Sequence, residues 1–170
     1  MLEIKKKKNI NLINLAIVCK NFHYYDFLYF FKFYTIYCIL LQIFYYSYII
    51  RINSITLLNI ISSCSLGGWY ICYIHPKNLY IKGYLIDVHT NGTIMYILDF
   101  LLHHLPLILF IYFEKTNIFK SDINYYEIFG FPLVYRFLVD PYEIYKINLI
   151  KQFFFVIFPV ILLLLHQEIY

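Results

Sequence analysis

Apolar residues in this chain run in long unbroken blocks, separated by short polar stretches, and do not alternate. Phe33–Ile50 carries no charge, and Arg51 marks a turn. Ile52–Ile74 is a second block, with Thr56, Asn59, Ser62, Ser63, Ser65, Gly67 and Gly68 scattered through it. The third, Thr93–Phe113, reads TIMYILDFLLHHLPLILFIYF and holds Asp99, His103, His104 and Pro106 in its middle. Ile123–Val139 is a fourth, and Phe153–Leu165, extended back toward Leu149 and containing Pro159, is the last. About 20 apolar residues match the hydrocarbon thickness of a bilayer. Only helices satisfy the backbone in lipid over such continuous runs, since a barrel would alternate. The pattern predicts an all-α protein, a multi-pass transmembrane helix bundle of about five spans.

Breaks in the pattern set the boundaries. His75-Pro76 ends the second helix, because the residue before proline avoids the helical region. Pro106 lacks a backbone donor and crowds the carbonyl of Leu102, which predicts a kink beside the two histidines. In residues 1–32, apolar Ile10–Val18 is followed by Lys20, His23, Asp26 and Lys32, as in an amphipathic helix lying on a membrane surface. Residues 33–170 then form one transmembrane domain. If Ile123–Val139 crosses, only Arg51, Lys115 and Lys120 lie outside. Lys5–Lys8, Lys20, Lys32, Lys77, Lys82, Lys146 and Lys151 lie inside. That arrangement follows the positive-inside rule and places the N-terminus in the cytoplasm.

Composition sharpens this picture. The chain is 62% hydrophobic and only 14% charged, an excess that points to lipid as its main partner. The net charge of +4 comes mostly from Lys5–Lys8, a topology signal; no basic face recurs elsewhere to suggest nucleic acid. Cys19, Cys38, Cys64 and Cys72 lack CxxC spacing and read as small buried hydrophobes. The 20 tyrosines and 17 phenylalanines accompany a single alanine, Ala16, the bias expected of an AT-rich genome and no sign of a ligand cage. Asn91-Gly92-Thr93 is a formal glycosylation sequon abutting a span. No repeat, phosphate-binding loop or cofactor motif is present, so no cofactor is expected.

The chemistry concentrates in the third block. Asp99 and His103 are four residues apart and share a helix face, which lets a carboxylate orient an imidazole as general base. His104 lies about 100° further round an α-helix and faces a different neighbour. The pair also fits a buried polar contact between helices, or a metal site with His89 or Asp87 as third ligand, although the spacing matches no metal signature.

Three pieces of the chain resemble the androgen-induced-protein family of intramembrane threonine hydrolases and its bacterial membrane relatives. They are Ser54-Ile55-Thr56-Leu57-Leu58-Asn59, Leu102-His103-His104-Leu105-Pro106, and Phe131-Pro132-Leu133-Val134-Tyr135, in the family's order. The resemblance implies Thr56 as nucleophile and His103 or His104 as its base, acting on lipid esters. The specific expectation is therefore an intramembrane lipid-ester hydrolase using Thr56, His103, His104 and Asp99. Two alternatives stay open: a non-catalytic membrane protein in which Asp99 and His103 are a structural pair, and a small proton-coupled carrier.

Overall fold

Asparagines start three of the helices. The side chain of Asn53 accepts the backbone N–H of Ile55 at 2.9 Å, that of Asn124 the N–H of Glu127 at 3.3 Å, and that of Asn148 the N–H of Lys151 at 3.0 Å. Each cap satisfies an N–H that a helix start leaves without an intrahelical acceptor. The computed structural model describes residues 9, 11–16, 34–71, 96–97, 99–120, 122–139 and 147–169. Its helices are α1 (Tyr34–Tyr46), α2 (Ser54–Trp69), α3 (Leu105–Lys120), α4 (Tyr125–Leu138) and α5 (Leu149–Ile169). A π-helical turn, Phe100–His104, leads directly into α3. No strand occurs among the described residues.

Helix α2 is the central post, touching α1, α3, α4, α5 and the π turn. Its Leu57, Leu58 and Ile61 pack with Tyr46 of α1 and Phe110 and Ile118 of α3. Ile60 and Cys64 meet Cys38 of α1. On the far side Ile128 of α4 joins Val156 and Val160 of α5. Helix α1 ends where Tyr48 takes a left-handed conformation (φ 58°). Tyr34 sets the start of α1 against α4, its ring edge-on to Tyr135 at 4.9 Å between centroids. The outward faces stay apolar: Phe137 of α4 is 90% exposed and Ile150 of α5 79%.

The expectation of a multi-pass transmembrane bundle is corrected here. Among the described residues no helix is long and apolar enough to cross a membrane. The apolar blocks are interrupted by caps and turns that average hydropathy does not register. Helix α1 has 13 residues, α2 16 and α4 14, or about 20 to 24 Å against a core of about 30 Å. Helix α3 takes Glu114, Lys115 and Lys120 into its length. Helix α5 has 21 residues, but Lys151 and Gln152 leave Phe153–Leu165 as its continuous apolar stretch, about 20 Å. Arg136 of α4 donates to Gln152 Oε1 of α5 at 3.1 Å. Lys5–Lys8, most of the N-terminal segment, the loop 75–92 with its sequon, Cys19 and Cys72 lie outside the described residues.

Candidate active site

The π turn organises the site. Its closing N–H, from Leu105, reaches the carbonyl of Phe100 five residues back. Pro106 follows at once and supplies the local reason. Proline gives no N–H to the ladder and its ring crowds the carbonyl four residues earlier, so the backbone widens just before it. In an α-helix a residue five positions on lies about 140° away round the axis. In the wider turn it returns to the same side. One carboxylate, that of Asp99, therefore reaches both histidines.

The first arm runs through His103. Asp99 Oδ1 lies 2.6 Å from His103 Nδ1 and is nine-tenths buried or better, at 3% exposure. His103 Nε2 lies 2.8 Å from Thr35 Oγ1, in the first turn of α1. An ionised Asp99 assigns the ring proton to Nδ1, which leaves Nε2 to accept from the Thr35 hydroxyl. The Cys64 thiol donates to the same Thr35 oxygen at 3.5 Å, so the donors all run in one direction. Burial draws the His103 pKa down, but the hydrogen bond and charge of Asp99, with Cys64 adding to them, raise it above its ordinary value. Burial pushes the Cys38 thiol up, while donation from Cys38 pulls that of Cys64 down to about 7.

Gly68 makes this arm sterically feasible. A Cβ there would fall 2.5 Å from His103 Cγ and 2.6 Å from Nδ1, so the imidazole lies where any other residue would put its side chain. Gly67, one position earlier, would bring a Cβ into ordinary contact, 3.7 Å, with Phe155.

The second arm runs through His104. Its Nδ1 lies 2.7 Å from Ser65 Oγ on α2. Its Nε2 is 3.3 Å from Asp99 Oδ2, close enough for an ion pair but not aligned as a hydrogen bond. The His104 side chain is 27% exposed against 16% for His103. The arrangement is thus two hydroxyl–imidazole pairs converging on one buried carboxylate.

Of the residues expected from sequence, Asp99, His103 and His104 come together and Thr56 does not join them. Thr56 is fully buried and its hydroxyl has no hydrogen-bond partner among the described residues. It precedes Ser65 by nine residues, about 13 Å along the axis of α2. All four ring nitrogens of the two histidines are engaged elsewhere. His104 does face a neighbour of its own, Ser65, and the π-helical turn brings it in addition to the carboxylate that holds His103. Thr35 and Ser65 are the hydroxyls that sequence reasoning passed over. Ser65 is one of several small and hydroxyl residues scattered through the second block, and Thr35 lies inside an uncharged one. His89 and Asp87 lie outside the described residues, and among those described no group of three or more His, Cys, Asp or Glu could hold a metal ion.

No family model matches the chain, and no curated protein or solved structure matches it either.

Proposed function

We propose that the chain is an ester hydrolase of the threonine type, with Thr35 as nucleophile, His103 as general base and Asp99 as the group that orients His103. The observation that carries this reading is the unbroken line Thr35 Oγ1, His103 Nε2, His103 Nδ1, Asp99 Oδ1, at 2.8 and 2.6 Å. A hydroxyl becomes a useful nucleophile when a base takes its proton and a third group holds that base. The reaction class implied by the family resemblance is retained, and the nucleophile moves from Thr56 to Thr35.

In the step itself, Thr35 Oγ1 bonds to the acyl carbon while its proton passes to His103 Nε2. The ester C–O bond breaks, and the departing alcohol takes that proton back. Water, deprotonated by the same nitrogen, then releases the acid and restores Thr35. Asp99 steadies the imidazolium formed between these steps. We assign lipid esters as the substrate class. The residues around the arm offer apolar contact, with Cys38, Ile60 and Cys64 buried at its base and the outward faces of α4 and α5 rich in aromatic and aliphatic groups.

A fluorophosphonate carrying a long alkyl chain tests the reading. The purified protein should form an adduct that peptide mapping places on Thr35, and Thr35→Val should lose it. Asp99→Asn should slow formation by about 100-fold to 10⁴-fold, the range found when a base or its orienting carboxylate is disabled. A folded protein that no such probe labels would leave Asp99 and its histidines as a structural polar cluster.

A further inference from the structure

The second arm has the same chemical parts as the first, and nothing in the reading above uses it. Ser65 Oγ meets His104 Nδ1 at 2.7 Å, and His104 Nε2 turns back to the second carboxylate oxygen of Asp99, Oδ2, at 3.3 Å. We propose that Ser65 and His104 form a second nucleophile–base pair, so that one carboxylate serves two catalytic hydroxyls on two different helices. The proposal rests on the same Asp99-centred hydrolase reading and extends it to a second acylation point.

Three features separate Ser65 from a hydroxyl that merely packs. Ser63, two residues earlier on α2, shows the packing alternative: its Oγ donates to the Ile60 carbonyl of its own helix at 2.7 Å. Ser65 instead faces a ring nitrogen on another element. The imidazole it faces is the more open of the two, and a serine hydroxyl carries no methyl to obstruct an incoming carbonyl. The tautomer is also right. The tautomer with its proton on Nε2, the nitrogen 3.3 Å from Asp99 Oδ2, leaves Nδ1 as an acceptor, so the Ser65 proton has a place to go.

The chemistry balances as it does on the first arm. Ser65 Oγ bonds to the acyl carbon as its proton passes to His104 Nδ1. The ester C–O bond then breaks, and the leaving alcohol takes the proton from His104. Water completes hydrolysis through the same nitrogen. The difference lies in charge. Asp99 can balance one imidazolium at a time, so a proton on His103 opposes a proton on His104. The two arms therefore take turns within one chain, and the longer, less aligned contact makes the Ser65 arm the slower to acylate.

The test uses the full chain, an alkyl fluorophosphonate and peptide mapping of the adduct. Wild-type protein should carry adduct on Thr35 and, more slowly, on Ser65. Thr35→Val should keep the Ser65 adduct. Ser65→Ala and His104→Gln should each remove it while the Thr35 adduct remains. Ser63 should stay unmodified throughout, and Asp99→Asn should slow both adducts by tenfold or more. Helical circular dichroism of each variant identifies any that fail to fold, and Ser65→Cys offers a second nucleophile at the same place, which should restore modification. Adduct on Thr35 alone, with Thr35→Val unmodified, would overturn the second arm and leave the first. Absence of adduct at both positions in folded wild-type protein would overturn both together.

Discussion

Along α2 Thr56 and Asn59 have surroundings opposite to those of the polar side chains in the last two turns. Ser54, at the start, meets the Tyr45 hydroxyl at 2.7 Å, but Thr56 and Asn59 are fully buried, and among the described residues neither the threonine hydroxyl nor either end of the asparagine amide has a hydrogen-bond partner. Near its end, Ser63 bonds the Ile60 carbonyl and stands 3.3 Å from the Tyr34 hydroxyl, Cys64 donates to Thr35, and Ser65 faces His104. The residue types are alike and the burial is alike. What differs is what the neighbouring elements present. The last turns meet the π turn and the start of α1, which bring imidazoles and hydroxyls. The difference teaches that a hydroxyl in an apolar helix acquires chemistry from the element opposite it, and its own sequence neighbourhood says little.

The largest expected effect comes from forcing the two ends to be alike. Gly68→Ala places a carbon where the His103 ring lies, and it should reduce modification of Thr35 by on the order of 100-fold. Gly67→Ala meets only ordinary contact and should leave that rate within about twofold. Equal behaviour of the two alanine variants, measured by probe kinetics, would show that His103 is not held against α2.

Removing the shared carboxylate comes next. Asp99→Leu strands two histidines, and each unmet polar group costs about 1–3 kcal/mol when buried, discounted here because both rings are partly exposed. A fall in Tm of roughly 5 °C is expected. Asp122→Leu, at an exposed position before α4, should change Tm by less than about 2 °C.

At the other end of α2 the sign reverses. Thr56→Val removes a buried hydroxyl that has no partner among the described residues, and it should raise stability by about 1 kcal/mol while leaving modification of Thr35 unchanged. A loss of modification in Thr56→Val would return Thr56 to the site and erase the contrast between the two ends.

The smallest effect is in pH. The folded-state pKa of His103 is raised, so its pairing with Asp99 adds stability that is fully present below the ordinary imidazole value near 6.5. That contribution is lost as pH rises from there through the raised value. As the proposed general base, by contrast, His103 works only when neutral, so modification of Thr35 should increase over the same window. Activity and stability should therefore cross in opposite directions, as thermal melts and probe kinetics at a series of pH values would show. A rate that is flat across that window would remove His103 as the base.

Much of this was legible in the chain, and the failures have physical causes. Each apolar block contains a helix, and the asparagines that cap three of them were open to reading as start signals. Hydropathy summed the blocks without seeing those caps, which is why it produced spans where the helices stop short. The Asp99–His103 contact follows from a spacing of four and was readable. The contact of His104 with the same carboxylate was not, because an α-helical period places it elsewhere. A proline two residues after the paired histidines was the available sign of a widened turn. Thr35 had no sign at all: its partner is 68 positions away, and only the packing of α1 on α2 brings them together.

The widened turn is also a record of phase. It holds one residue more than an α-helix would place between Asp99 and α3, like a stitch added to a row. Unpicking it by deleting Leu101 would let the helix run regularly, and His104 would then stand four residues after Asp99, in the seat His103 now occupies. Having two histidines in succession means that a single slip of the chain moves His104 into the seat of His103 and leaves an imidazole still facing the carboxylate. The doubled histidine makes the site tolerant of a one-residue change in length, a form of robustness that no single catalytic side chain could provide.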